Sequence, residues 1–272
     1  MYRSHWKMSC RPFDHGYDGR LFYPSETHHA TLLKLRYVIE NRRDLAVVVG
    51  DAGMGKTLLV HHLLESLPAV NEPRCHVVFP QLPAEELMVY VTDQLAGETS
   101  AETTDLRTTI NRFEALLRSA AAAEKQPVLV LDEAHLLADR RILEMFRLLL
   151  NFRHHEHSMF TLILVGNRSL LSVLEESPEL QSRVGTQSLL QSLSIDETIA
   201  YIQFRLAAAG IQQQIFSYAA LEAIHYGTGG NPRAINRICD LALLMGYALD
   251  RHEIGIEEVH TVLEESIIPI VP

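Results

Sequence analysis

The sequence predicts an α/β fold, a parallel sheet flanked by helices and followed by an all-helical lid, on three observations. Short apolar runs such as Val47-Val48-Val49 and Val128-Leu129-Val130-Leu131 recur between amphipathic segments, as expected of strands covered on both faces. Two of these runs end in chemistry: one enters a glycine-rich turn, the other stops at Asp132 and Glu133. From Ser194 onward only helical patterns remain.

In chain order, Tyr2, Trp6, Phe13, Tyr17, Phe22 and Tyr23 alternate with Pro12, Gly16, Gly19 and Pro24. This segment has neither helical nor strand periodicity and is expected to lie over the α/β domain, docked by its rings. Ser25 reads as the N-cap of a helix that carries Leu32, Leu35, Val38 and Ile39 and ends at Arg42 and Arg43. The stretch from Leu45 through Val47, Val48 and Val49 is the first strand, running straight into the turn at Gly50, and Leu58, Leu59, Leu63, Leu64 and Leu67 mark the helix after that turn.

A second strand is expected over 75–79, and Pro83, Glu85 and Glu86 open a helix that stops near Gly97. Residues 97–104 read as a surface loop, and Asp105 caps a long helix bearing Leu106, Ile110, Phe113, Leu116 and Leu117. Further strands follow Pro127, cover 160–168 and finish the sheet near 186–190, with a helix over 140–151. Gly210, Gly227, Gly229 and Gly230 punctuate the helices expected over 196–209, 218–226, 232–249 and 256–265. The shift in pattern near Leu193 divides the chain into domains 1–192 and 193–272.

With 272 residues, 47% hydrophobic and 21% charged, the chain is long enough to bury a substantial core without staples. A net charge of -10 disfavours a broad electrostatic grip on nucleic acid or an anionic bilayer. The three cysteines, Cys10, Cys75 and Cys239, lie far apart and suggest neither a zinc site nor a disulfide framework, which fits a reducing cytoplasm. The N-terminus lacks a signal-peptide core, and no apolar run approaches the ~20 residues of a membrane span. The apolar end, 267–272, reads as a packed tail or a linker.

The turn after the first strand carries the chemistry. Gly50, Asp51, Ala52, Gly53, Met54, Gly55, Lys56, Thr57 and Leu58 fit G-x-x-x-x-G-K-[ST], in which glycines let backbone N–H groups curl around phosphates. Lys56 is expected at the β and γ phosphates and Thr57 on Mg²⁺, with the positive end of the next helix facing the anion. Asp132 is expected to hold Mg²⁺ through its water shell, and Glu133 to orient or deprotonate the attacking water. Asn167, at the end of a later strand, is expected either to bond that water or the γ phosphate, or to satisfy a turn. Arg183, just before the last strand, is either an arginine finger from a neighbouring subunit or a surface ion pair. Arg233, in the first turn of a lid helix, is placed to close on the γ phosphate. His154, His155 and His157 read as a solvated cluster, and the pairs His28–His29 and His61–His62 diverge around a helix.

Taken together, GDAGMGKT, VLVLDEAH, LVGNR, ELQSRV and GGNPRAINR resemble, in order, the Walker A, Walker B, sensor 1, arginine-finger and sensor 2 segments of the AAA+ ATPases. Arg11-Pro12-Phe13, the stretch from Leu21 to His28 and the stretch from Gly230 to Leu244 resemble the general secretion pathway protein A family over nearly the whole chain. His135 stands where that family commonly has Gln, and Asn167-Arg168 where a Gln-Pro pair is usual. The resemblance implies a P-loop ATPase that uses ATP and Mg²⁺ and assembles as a homo-oligomer. It further implies a cytoplasmic protein recruited to the inner face of the inner membrane, serving a secretion-system or envelope membrane protein. The alternative is a DNA-dependent AAA+ ATPase of the transposition-regulator or loader type, and a third reading is a non-hydrolysing nucleotide switch.

Overall fold

A computed structural model describes residues 2–14, 16, 19–98, 105–137 and 139–267. Tyr17, most of the loop expected over 97–104 and the tail 268–272 lie outside the described residues. In order, the elements are α1 (Tyr2–His5), α2 (Glu26–Glu40), β1 (Leu45–Gly50), α3 (Lys56–Ser66), β2 (Arg74–Val77), α4 (Ala84–Ala96), α5 (Leu106–Ala122) and β3 (Val128–Leu131). There follow α6 (Arg140–Leu149), β4 (Arg153–His154), β5 (His157–Ser158), β6 (Thr161–Gly166), α7 (Ser169–Glu175), α8 (Pro178–Gln181) and β7 (Val184–Leu190). The chain closes with α9 (Ile195–Ala208), α10 (Tyr218–Thr228), α11 (Pro232–Ala248) and α12 (Ile256–Ile267). Two compact units result: a sheet unit of Glu26–Ala52 and Leu59–Leu190, and a helical unit of Met1–Ser25, Gly53–Leu58 and Gln191–Pro272.

The five-stranded sheet of the sheet unit has the strand order β2-β3-β6-β1-β7, and every pairing within it is parallel. Parallel strands need long crossovers, which the intervening helices supply. Every residue of β1, β3 and β6 is buried, whereas β7, at one edge, alternates. Val47, Val49, Leu129, Leu131, Leu162 and Leu164 line a core with Phe113, Phe146 and Phe160, and each such side chain contributes about 2 kcal/mol by leaving water. The register pairs Val49 with Gly166 and Leu131 with Leu164, so the strands end along one edge.

The helical unit packs α9–α12 around Ile202, Phe216, Ile235, Ile238, Leu243 and Val259. Ser194 and Glu197 form a capping box at the head of α9. Gly230 has φ +71°, and a Cβ there would stand 2.1 Å from the Leu193 carbonyl oxygen, so only glycine lets the turn before α11 close on Leu193.

The N-terminal segment departs from expectation. It includes a short helix, α1, and it packs in the helical unit, in place of the α/β domain. The reason is a set of sockets there: Trp6 is 2% exposed and its indole N–H donates to the Leu243 carbonyl at 3.0 Å. The buried Arg205 guanidinium donates to the carbonyls of Pro12, Asp14 and Leu21. Sequence periodicity misses this because a strap is held by backbone acceptors, which carry no residue signature.

Other differences are local. The strand β2 stops at Val77, leaving Val78 and Phe79 exposed. Helices α7 and α8 fill the stretch before β7, and His154, His155 and His157 lie exposed on the β4–β5 hairpin. Among the described residues no helix is long and apolar enough to cross a membrane.

Replacing Arg205 by Leu removes the donor from the buried carbonyls of Pro12 and Leu21 and from the part-buried carbonyl of Asp14. We expect a loss of about 3 kcal/mol in stability, measured by denaturant titration. Limited proteolysis should then cut first within residues 7–25, and a segment as protected as in the parent would show that Arg205 does not hold it.

Candidate active site

At the end of β1 the chain turns through Gly50, Asp51 and Ala52 in the sheet unit and continues through Gly53 to Leu58 in the helical unit. Gly53 and Gly55 have φ of +84° and +78°, conformations that L side chains rarely adopt. The helix α3 opens at Lys56, so Lys56, Thr57 and Leu58 supply its first-turn N–H groups, which have no acceptor within the helix. The Lys56 and Met54 side chains are buried.

Within the helical unit, the phosphate-loop motif meets the head of α11. Asn231 caps that helix, accepting from the N–H groups of Arg233 at 3.0 Å and Ala234 at 3.2 Å. The Arg233 N–H also donates to the Gly53 carbonyl at 3.3 Å. A Cβ on Gly53 would come within 2.5 Å of Asn231 Oδ1 and 2.8 Å of Arg233 Cβ. Gly53 is therefore required twice, by its φ and by this approach, while the Arg233 side chain stays exposed.

In the sheet unit, three strand ends deliver polar residues to one edge: Asp51 after β1, Asp132 after β3 and Asn167 after β6. Asp132 is fully buried, its N–H extends the β2–β3 ladder to the Val77 carbonyl at 2.8 Å, and its Oδ1 accepts from the Glu133 N–H at 2.8 Å. Glu133 itself sits in the left-handed region, with φ 50° and ψ 34°, a strained backbone of about 1–3 kcal/mol for a residue that is not glycine. That turn directs the chain into a 3₁₀ turn, Ala134–Leu136, and leaves the Glu133 side chain 42% exposed.

His135, which sequence reasoning noted only as a departure, connects the two strand ends. The Asn167 N–H donates to His135 Nδ1 at 3.4 Å, and the same nitrogen lies 3.4 Å from Glu133 Oε2. His135 Nδ1 thus faces a backbone N–H and a carboxylate oxygen at the same distance. Asn167 Oδ1 accepts from the Ser169 N–H at 2.9 Å and from the Ser169 hydroxyl at 2.6 Å, so its oxygen starts α7 and its amide Nδ2 is the donor left for a ligand. Arg168 pairs with Asp51 at 3.2 Å, a contact no local pattern announces.

His76 is a second residue that the sequence did not flag. Its Nε2 lies 3.6 Å from Asp132 Oδ2, and its ring stands edge-on to His61 at 5.0 Å. Burial, and after it the neighbouring His76, holds His61 below its ordinary value.

Arg183 does not join these groups. It precedes β7 and pairs with Asp44, the residue before β1, at 3.1 Å, while also donating to the Leu150 carbonyl and to Asn151 Oδ1. Arg153 reaches the same Asp44 oxygen at 2.8 Å. Arg183 therefore belongs to the amino end of the sheet, opposite the edge that holds Asp132 and Asn167.

The Thr57 hydroxyl in the helical unit and the buried Asp132 carboxylate in the sheet unit are each hard oxygen of the kind Mg²⁺ takes. The chain matches the AAA domain model over residues 39–174. It is 33% identical over 259 residues to general secretion pathway protein A of Aeromonas hydrophila, covering 93% of this chain and 46% of that protein. It thus spans about half the length of that relative. By structure it is similar to the Aeropyrum pernix ORC2 protein in its ADPNP–ADP complexes (TM-score 0.70, 17% identity, 94% of this chain and 71% of that one). It is also similar to the Thermotoga maritima RuvB Holliday junction branch migration motor (TM-score 0.63, 20% identity, 90% and 70%). At these identities the two structures speak for the fold alone. The chain belongs to the AAA domain family, with general secretion pathway protein A as a relative.

Proposed function

We propose that this ATPase binds ATP with Mg²⁺ and couples its hydrolysis to movement of the lid and of neighbouring subunits during assembly of a secretion or cell-envelope system. The delivery of Asp51, Asp132 and Asn167 to one sheet edge by parallel strands is the observation that supports the chemistry. The likeness to general secretion pathway protein A supports the setting.

In this reading the loop N–H groups and Lys56 bind the phosphates, and Thr57 and Asp132 hold the metal ion. Bound there, Mg²⁺ would neutralise charge on the β and γ phosphate oxygens. Glu133 orients the attacking water and accepts its proton, and Asn167 Nδ2 donates to that water or to the γ phosphate. Arg233 places a guanidinium on the γ phosphate and makes nucleotide state felt at the head of α11, whose backbone already bonds Gly53. Arg183 acts in trans, released from Asp44 when a ring or filament forms with ATP. The working place is the cytoplasm, at the inner face of the inner membrane, with a secretion-system membrane protein as recipient.

The DNA-dependent reading draws on what the names of the fold relatives say of them, and the net charge of -10 weighs against it. ATPase assays with and without DNA at moderate salt separate the two, since DNA stimulation would favour the loader type.

Glu133→Gln should bind ATP with Mg²⁺ as the parent does and turn over about 10²-fold to 10⁴-fold more slowly. Equal turnover would favour a nucleotide switch that does not hydrolyse. Gly53→Ala, which adds strain and a 2.5 Å contact, should weaken binding of a fluorescent ATP analogue by about tenfold or more. Arg183→Ala should remove the dependence of turnover on protein concentration and slow the assembled enzyme by about 10³-fold or more. A variant that melts earlier yet keeps that dependence would make Arg183 a structural cation for Asp44 instead.

A further inference from the structure

The pleat of the sheet places a histidine beside the carboxylate at the end of β3. In the parallel register His76 stands opposite Val130, and residues two apart share a face, so His76, Val130 and Asp132 point the same way. Cys75 and Val77 point the other way with Leu129 and Leu131, into the hydrophobic core. Arg74 and His76 share that face of β2, and His76 is the one beside Asp132.

The contact has an unusual feature. His76 Nε2 is buried and has no hydrogen-bond partner among the described residues, although the side chain is only 10% exposed. Buried polar atoms are nearly always paired, and one left over in a well-packed sheet calls for a reason. Its nearest charged neighbour is Asp132 Oδ2 at 3.6 Å, on a side chain 1% exposed. The other oxygen, Oδ1, already accepts from the Glu133 N–H at 2.8 Å. The carboxylate is therefore approached from both sides, by a backbone donor on Oδ1 and by an imidazole nitrogen on Oδ2. The His61 ring stands edge-on to the imidazole at 5.0 Å.

We infer that His76 is a positioning residue for Asp132: its unpartnered Nε2, 3.6 Å from Oδ2, closes by a small movement to donate to that oxygen and so fixes the rotation of the carboxylate that would hold the metal ion. This rests on the ATP–Mg²⁺ reading above, in which Asp132 holds the ion. It assigns His76 no contact with nucleotide or water. A carboxylate free to rotate has to be ordered on binding, whereas one held by an outer partner does not, and such partners commonly change metal affinity by about 10-fold to 100-fold.

The test compares His76→Phe, which keeps the ring volume against His61 and removes the donor, with His76→Gln, whose amide nitrogen restores one. Binding of a fluorescent ATP analogue is followed against Mg²⁺ concentration and again in EDTA. For His76→Phe we expect the Mg²⁺ concentration at half-saturation to rise by about tenfold or more. Binding in EDTA should stay unchanged, and His76→Gln should fall close to the parent. Should the phenylalanine variant fail to fold, His76→Leu, smaller and equally without a donor, takes its place. A Mg²⁺ requirement equal to the parent's, or weakening that is the same with and without Mg²⁺, overturns the inference. A parent that binds the analogue no better with Mg²⁺ than in EDTA overturns the metal assignment itself, and this inference with it.

Discussion

Parallel pairing is the constraint on which the sheet unit's chemistry depends. Because β2, β3, β6, β1 and β7 all run the same way, their carboxyl ends form one edge, and a residue placed just after any strand reaches it. Asp51, Asp132 and Asn167 are far apart in sequence and become neighbours by this rule alone. The same rule sends Arg183 and Asp44, which precede their strands, to the opposite edge.

Strain and close approach gather at the phosphate-loop motif and at the end of β3. Gly53 is held at positive φ and pressed against Asn231 and Arg233, so the loop and the head of α11 share a backbone hydrogen bond that any side chain would break. Glu133 keeps a left-handed backbone although it is not glycine. The cost is borne by the buried Asp132 beside it, whose Oδ1 accepts the Glu133 N–H and whose own N–H extends the ladder to Val77. His135 and His76 set imidazole nitrogens near these carboxylates: one ring lies between Glu133 and Asn167, the other stands by Asp132.

The helical unit solves a different problem. A small set of helices carries limited core, and the N-terminal segment enlarges it with Tyr2, Trp6, Met8 and Phe13. Arg205 makes that addition specific, because a guanidinium presents several donors in a fixed fork and three carbonyls of the segment meet it. Gly246 leaves room for the indole, since a Cβ there would lie 2.8 Å from Trp6 Cζ2.

By itself the sequence determined the elements and the chemical inventory. Fully apolar runs announced β1, β3 and β6, glycine spacing announced the phosphate loop, and the strand-end carboxylates announced themselves, because each signal is local and carried by residue type. The tertiary structure alone decided which strands are neighbours, and with that the contacts of His76 with Asp132 and of Arg168 with Asp51. It also decided that the aromatic N-terminal segment joins the helices. Those outcomes depend on register and on backbone carbonyls meeting distant side chains, and a carbonyl is the same in every residue, so no string of letters marks the ones that will be used.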